Sequence, residues 1–201
     1  ENINFLLCGV GGQGTVLASD VLVNVGLASG FDAKQAEVHG MSQRGGSVTS
    51  HVRWGHKIYS PIVGLGEADV LLAFEKLEAL RNIQSLRPGG VAVVNTQIIE
   101  PLTVISGDQK YPEDKTVRAA FAALTPHVEY VDGEQMAEAL GNLRAANVVL
   151  LGALSALLEK GETLAGVNLN AETWLKVITE RVPHRHVELN RRAFQAGREA
   201  V

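Results

Sequence analysis

The sequence contains a single cysteine, Cys8, among its 201 residues. One cysteine excludes an intrachain disulfide, and it excludes an iron–sulfur cluster or structural zinc site built from several thiolates of this chain. Cys8 lies within an apolar run, where a buried small side chain is the expected role rather than a reactive thiol.

The sequence also lacks an excess of positive charge. Its formal net charge is −4, which predicts no general affinity for nucleic acid or for anionic membranes. The most apolar later stretch, residues 148–158, is shorter than the roughly 20 residues that a membrane-spanning helix needs. The N-terminus shows no basic segment followed by an apolar core, so we expect no signal peptide and a cytoplasmic protein.

The composition is otherwise that of a globular chain, with 46% hydrophobic and 20% charged residues. Apolar runs typical of strands alternate with helical patterns up to about residue 131, and the remainder is mainly helical. This order predicts an α/β fold with a doubly wound, mostly parallel sheet and C-terminal helices packed on it, as one domain of residues 1–201. We expect a β-hairpin addition from residues 48–54 and 57–60, and a further strand at residues 102–105.

The first unusual stretch is a glycine-rich turn, residues 9–15, between an apolar run and a helical pattern. Its glycines match G-x-G-x-x-G, and the free N–H groups of a helix N-terminus suit an anion such as a dinucleotide pyrophosphate. That interpretation needs an acid at the end of the next strand; Asp32 and Glu37 are the candidates, but the strand they lie in is polar. The alternative is a tight turn whose glycines only let the helix pack on the sheet.

The second unusual stretch is residues 37–47, where polar side chains stand among three glycines and neither helical nor strand periodicity fits. One interpretation is a solvated loop. The other is a loop that approaches a ligand or partner, with Arg44 able to bind a phosphate or carboxylate through two hydrogen bonds. Glu75 and Asn95 each follow a predicted strand at the carboxyl edge, and for Glu75 we favour a charge at the N-terminus of a helix.

No pattern in the chain predicts a metal site or a catalytic residue. His184 and His186 flank Arg185, but the further ligands of a metal site are not visible. No serine lies in a nucleophile-elbow motif.

Taken together, several segments resemble the gamma-type domain of 2-oxoacid:ferredoxin oxidoreductases, in particular those of the indolepyruvate type. They are residues 9–14, 37–46, 66–69, 88–90 with Asn95 and Thr96, and 188–194. The resemblance therefore runs in order along essentially the whole chain, and its second segment is long and specific.

The resemblance implies a complex that oxidatively decarboxylates a 2-oxoacid with coenzyme A, giving an acyl-CoA, carbon dioxide and reduced ferredoxin. Thiamine diphosphate, magnesium and 4Fe–4S iron–sulfur clusters would lie on a larger partner subunit, because this chain has one cysteine and no Gly-Asp-Gly segment leading to an asparagine pair. This chain would be a small subunit, inactive alone, that supports and closes the shared active site. The residues expected to face a ligand or the partner are Gly9, Gly11, Gly12, Gln13, Gly14, Thr15, His39, Ser42, Gln43, Arg44, Gly45, Gly46 and Asn95.

Two alternatives of other classes stay open at this point. The formal fingerprint also fits a free-standing NAD(P)-binding reductase, and the fold fits an interaction module without activity. The sequence does not separate indolepyruvate from pyruvate or a branched 2-oxoacid as the substrate.

Overall fold

The computed structural model describes residues 2–39, 46–160 and 169–201. Within these ranges one six-stranded sheet has the order β2-β3-β1-β4-β5-β6. The strands are β1 (Ile3–Val10), β2 (Asp32–His39), β3 (Ser47–Gly55), β4 (Ala68–Ala73), β5 (Leu86–Asn95) and β6 (Val128–Val131). β1, β4, β5 and β6 pair in parallel, and β3 pairs antiparallel with both β1 and β2.

The predicted hairpin addition is present, but its strand assignment was wrong. The hairpin consists of β2 and β3, with Asp32 opposite Gly55 and His39 opposite Val48, whereas residues 57–60 form no strand. Both edges of β3 are already paired, so no ladder position remains for the later segment. Side chains hold that segment instead, since Asp32 Oδ2 accepts from Ile58 N at 2.7 Å.

The position of β2 explains its polar sequence. It is the outermost strand of the sheet, and most of its residues are exposed. Charged residues on an edge strand oppose pairing with other chains, which is how many sheets protect a free edge.

Helices cover both faces of the sheet, as the doubly wound prediction requires. In the described ranges they are α1 (Thr15–Ala28), α2 (Lys76–Asn82), α3 (Leu102–Ile105), α4 (Asp114–Leu124), α5 (Gly133–Ala139), α6 (Ala146–Lys160), α7 (Ala171–Arg181) and α8 (Val187–Glu199). One face packs against α1, α6, α7 and α8. The core between that face and the helices contains Phe5 and Trp54 from the sheet and Trp174 from α7. The other face packs against α2 and α4, with Val117 and Phe121 buried there.

The predicted strand at residues 102–105 was also wrong. This segment is the short helix α3 in the connection from β5 to α4, and Leu102 and Ile105 are largely exposed. β5 is paired on both sides, with β4 and β6, so a strand arising here has no adjacent edge to join.

The C-terminal helices pack closely on one another through two glycines. A Cβ atom on Gly152 of α6 would lie 2.0 Å from Phe194 O, and one on Gly197 of α8 would lie 1.8 Å from Val149 O. Only glycine permits this approach of the two backbones. The contact fixes α6, whose first residues lie beside the glycine-rich turn.

Candidate functional site

The glycine-rich turn lies at the carboxyl edge of the sheet and leaves the start of α1 uncapped. Gly12 has φ 106° and Gly14 has φ 82°, both in the left-handed region that favours glycine. Gly14 offers no side chain to cap the helix, and the first bond of the helix runs from Ala18 N to Gly14 O at 3.1 Å. The N–H groups of Thr15 and Val16 precede that bond and have no acceptor within the helix.

Gln13 fixes the turn to the neighbouring strands. Its Oε1 accepts from Val10 N at 2.7 Å, and its Nε2 donates to Phe74 O at 2.7 Å and to Gln97 Oε1 at 2.6 Å. A Cβ atom on Gly9 would lie 2.8 Å from Gln13 Oε1 and 2.9 Å from Phe74 Cβ. Gly9 and Gln13 therefore stabilise the turn, while Gly12 has no neighbour within 4 Å of its Cβ position and borders open space.

Asn95 lies at the end of β5 and connects three elements. Its buried carboxamide donates from Nδ2 to Phe74 O at 2.9 Å and accepts from Gly133 N at 3.1 Å. The side chain thus holds the ends of β4 and β5 against the start of α5. It lines a cleft with its amide already bonded inside the protein.

The second motif can be placed only at its two ends. His39 ends β2, and Gly46 O accepts from Gly11 N at 2.9 Å, which sets the start of β3 beside the glycine-rich turn. Ser42, Gln43, Arg44 and Gly45 lie outside the described residues. Their predicted contact with a ligand or partner stays a prediction.

Two clefts open on either side of the glycine-rich turn. The first, of about 400 Å³, lies between the start of α1 and the β2–β3 hairpin. The second, of about 590 Å³, lies between the turn and the starts of α5 and α6. Gly11, Gly12 and Gly14 border both clefts, so the turn forms the ridge between them.

The second cleft contains polar residues that the sequence analysis missed. Arg144 lines it and makes no ion pair within the described ranges. Asn147 is 5% exposed, donates from Nδ2 to Gly14 O at 3.4 Å, and has an Oδ1 without a partner in the part of the chain that is described. No sequence motif marks either residue; the fold alone brings them beside the turn, more than 120 positions away in the chain.

Glu134 also lines the second cleft, at the start of α5. Its carboxylate accepts a hydrogen bond from Gln97 Nε2. Burial raises the pKa of Glu134, an effect that the bond from Gln97 partly offsets. Together with Gln13, these side chains form a chain of hydrogen bonds along the wall of the cleft.

Glu75 has the structural role that the sequence favoured. It caps α2, with Oε2 accepting from Glu78 N at 2.8 Å. Its Oε1 accepts from Ile99 N at 3.1 Å and from the Tyr111 hydroxyl. Burial, and then the bond to Glu75, raise the pKa of Tyr111 well above its ordinary value.

Cys8 is fully buried, as predicted. Its Sγ donates to Glu78 O at 3.5 Å, and burial raises the pKa of the thiol well above its usual range. Across residues 2–39, 46–160 and 169–201, no cluster of three or more histidine, cysteine, aspartate or glutamate side chains is placed to hold a metal ion. None of the helices in those ranges is long and apolar enough to cross a membrane.

Comparison with known proteins finds relatives that match along the whole chain. Subunit IorB of the indolepyruvate oxidoreductase of Thermococcus kodakarensis is 38% identical over 202 residues, covering 100% of this chain and 96% of that protein. Subunit KorC of the 2-oxoglutarate synthase of Methanothermobacter marburgensis is 30% identical over 203 residues, covering 97% and 94%.

Solved structures agree with the sequence relatives. The gamma subunit of a keto/oxoacid ferredoxin oxidoreductase from Geobacter sulfurreducens is 27% identical and superposes with a TM-score of 0.69, covering 98% of this chain and 97% of that one. Residues 4–200 match the family model described as pyruvate ferredoxin/flavodoxin oxidoreductase. The chain therefore belongs to the pyruvate ferredoxin/flavodoxin oxidoreductase family.

Proposed function

We propose that this chain is the small, cofactor-free subunit of a 2-oxoacid:ferredoxin oxidoreductase of the indolepyruvate type. The observation that carries the proposal is the match to IorB over nearly the full length of both proteins. Residues 1–201 would act as a single gamma-type domain, and the complex would work in the cytoplasm with ferredoxin as its electron acceptor.

The chain's own residues do not fit the redox cofactors. Its one cysteine is buried and bonded to a backbone carbonyl, and a cluster requires several thiolates. We therefore assign thiamine diphosphate, magnesium and the iron–sulfur clusters to a larger partner subunit. There, thiamine diphosphate supplies the carbanion chemistry and the clusters carry electrons away.

The carboxyl edge of the sheet is the surface that we assign to the shared active site. Ligands of open α/β sheets bind outside the carboxyl ends of the strands, and here both clefts open at that edge. The second cleft gathers the starts of α1, α5 and α6 around it, so positive ends of helix dipoles surround it. Arg144 is the lining residue with a positive charge among those described.

This arrangement suits the phosphate groups of coenzyme A. Arg144 can donate to a phosphate through two hydrogen bonds, and the N–H groups beside Gly12 and Gly14 add uncharged donors. Closing the cleft against the partner would exclude water, which protects a carbanion from premature protonation. Gln13 and Asn95 contribute by holding the wall of the cleft rigid.

The proposal can be tested on the complex of this chain with its larger subunit, purified without oxygen. Viologen reduction is measured against coenzyme A concentration for the wild type and for Arg144→Ala. We expect Arg144→Ala to raise the KM for coenzyme A by about tenfold, because it removes a charged hydrogen bond. Arg191→Ala, an exposed arginine on α8, is the matched control and should leave the KM unchanged.

Two results would count against the proposal. If the chain bound no larger thiamine-containing subunit, the assignment as a subunit would be wrong. If the complex assembled and Arg144→Ala left the KM for coenzyme A unchanged, the second cleft would not be the coenzyme A site.

A further inference from the structure

The second cleft contains a buried acceptor that no described residue satisfies. Asn147 is 5% exposed and lines the cleft, and its Oδ1 has no hydrogen-bond partner in the described part of the chain. Its Nδ2 makes a long bond to Gly14 O, at 3.4 Å. Buried polar groups are nearly always bonded, so an unpaired acceptor beside a cleft indicates a ligand that supplies an N–H or O–H group.

The position of Asn147 lets its Oδ1 reach the cleft. The side chain lies directly against the glycine-rich turn, since a Cβ atom on Gly14 would be 2.5 Å from Asn147 Nδ2. A long bond holds the carboxamide only weakly, and the χ2 torsion of asparagine has broad minima, so a small rotation turns Oδ1 toward the cleft. Arg144 lies in the turn just before α6 and Asn147 in the first turn of that helix, so both side chains border the same cleft.

A chain of amide hydrogen bonds presents Glu134 to the same cleft as an acceptor. Val10 N–H can only donate and Phe74 O can only accept, so these two groups fix the orientation of the Gln13 carboxamide. Gln13 Nε2 therefore meets Gln97 Oε1, and Gln97 Nε2 must face Glu134. Gln97 occupies Oε1 of the carboxylate, and an ionised carboxylate has further lone pairs that can accept from a ligand.

The other walls of the cleft combine one positive charge with aliphatic surface. Arg144 is the described lining residue with a positive charge, and its guanidinium suits a phosphate group. Phe74, the aromatic residue among those lining the cleft, is 1% exposed and offers no face for stacking a nucleobase. Aliphatic side chains also line the cleft, namely those of Ile99, Leu143, Ala146 and Leu150.

From these features we infer that the second cleft binds the phosphopantetheine arm of coenzyme A rather than its adenosine half. Arg144 binds the phosphate of the arm, Asn147 Oδ1 accepts from an amide N–H, and Glu134 accepts from the hydroxyl of the pantoyl group. The aliphatic walls contact the methyl and methylene groups of the arm. The adenosine half carries an additional phosphate, which the negative charge of Glu134 repels. This assignment rests on the proposed function, because it takes coenzyme A as the ligand.

Isothermal titration of the full chain tests the inference with coenzyme A, 4′-phosphopantetheine and adenosine 3′,5′-bisphosphate as probes. We expect 4′-phosphopantetheine to bind within about threefold of coenzyme A, and adenosine 3′,5′-bisphosphate to bind about tenfold more weakly. Asn147→Ala should weaken the binding of 4′-phosphopantetheine about fivefold, because the ligand loses a hydrogen bond. Far-UV circular dichroism confirms that each variant is folded.

Glu134→Gln separates recognition by charge from a role in holding the wall of the cleft. The variant keeps an oxygen that accepts from Gln97 but loses the negative charge. Adenosine 3′,5′-bisphosphate should therefore bind about fivefold more tightly to the variant, whereas 4′-phosphopantetheine should gain nothing. Glu138→Gln, at an exposed position of α5 that does not line the cleft, is the matched control and should change neither affinity.

Several outcomes would overturn the inference. They are equal or tighter binding of adenosine 3′,5′-bisphosphate, an unchanged affinity of Asn147→Ala for 4′-phosphopantetheine, a preference that Glu134→Gln leaves intact, and no binding of any probe at millimolar concentration. The first of these would still leave coenzyme A in the cleft, so the proposed function would survive it. Failure of the larger subunit to bind this chain would overturn the proposed function, and the titration does not depend on that subunit.

Discussion

The crossing of α6 and α8 gives a prediction in which two opposing effects can be compared. Gly197→Ala replaces a glycine inside a helix, and the higher helix propensity of alanine favours the variant by about 1 kcal/mol. The new Cβ atom would lie 1.8 Å from Val149 O and 3.0 Å from Ala153 N. Both atoms belong to the backbone of α6, so no change of rotamer relieves the overlap.

The steric cost should exceed the gain in propensity. The two helices must move apart by more than about 1 Å before the new Cβ atom reaches an ordinary carbon–oxygen contact distance. This movement disturbs the stacking of Trp174 on Phe194, whose ring centroids are 6.2 Å apart. Overpacking of this kind costs about 3 kcal/mol at the upper end of its usual range. The net expectation is a loss of about 2 kcal/mol, or a decrease in Tm of about 4 to 8 °C for a chain of this size.

Urea unfolding followed by circular dichroism measures this loss directly. Gln195→Ala, at an exposed position of the same helix, is the control and should change the unfolding free energy by less than about 0.5 kcal/mol. Gly152→Ala should act in the same direction as Gly197→Ala, because its Cβ atom would lie 2.0 Å from Phe194 O. An unchanged or higher stability of Gly197→Ala would refute the reasoning, since it would mean that the helices are not in backbone contact.

Two further changes test the carboxyl edge itself. Gln13→Ala removes three hydrogen bonds of the glycine-rich turn and should lower the unfolding free energy, measured by urea titration, by about 2 to 3 kcal/mol. A loss below about 0.5 kcal/mol would show that the Gln13 side chain does not fix the turn. The Lys76 ammonium donates to Asp114 and lowers the pKa of that carboxyl. The stability that this ion pair contributes is therefore complete above the usual pKa of an aspartate, about 4, and is lost as the pH falls through the lowered pKa of Asp114. Asp114→Asn should therefore flatten the acid side of the stability profile, and an unchanged slope between about pH 6 and pH 2.5 would contradict this.

The parts of the fold that follow from local pattern could be predicted from the sequence. The strand–turn–helix of residues 3–28 has short-range causes. An apolar run forms the strand, and glycines in the turn can adopt the positive φ angles that the turn requires. The buried role of Cys8 follows from its place inside an apolar strand, and the capping role of Glu75 follows from its place between a strand and a helix.

The two wrongly predicted strands have a common cause, which is that strand pairing depends on residues far apart in the sequence. A short apolar run such as residues 102–105 has the same composition whether it forms a strand or an exposed helix, and only a free sheet edge decides between them. Residues 57–60 failed as a strand because β2 had already occupied the edge of β3. β2 itself was too polar to indicate that it would pair there.

The candidate site shows the same limit. The glycine-rich turn is visible in the sequence, but the internal bonding of Gln13 is not, because its acceptor Phe74 O lies 61 positions away. Asn147 lies at the start of α6 and Arg144 lies in the turn just before it, so both reach the cleft through the placement of that helix, and neither belongs to a recognisable motif. Sequence patterns therefore locate the edge that carries function, whereas the residues opposite the turn require the fold.

The most direct test of the central claim is a reconstitution of the purified larger subunit with and without this chain under anaerobic conditions. Viologen reduction is recorded with indolepyruvate and with pyruvate, each in the presence of coenzyme A. The account predicts that the larger subunit alone has little coenzyme A-dependent activity and that adding this chain restores it in proportion to the complex formed. Full activity of the larger subunit alone, or no association between the two chains, would contradict the account.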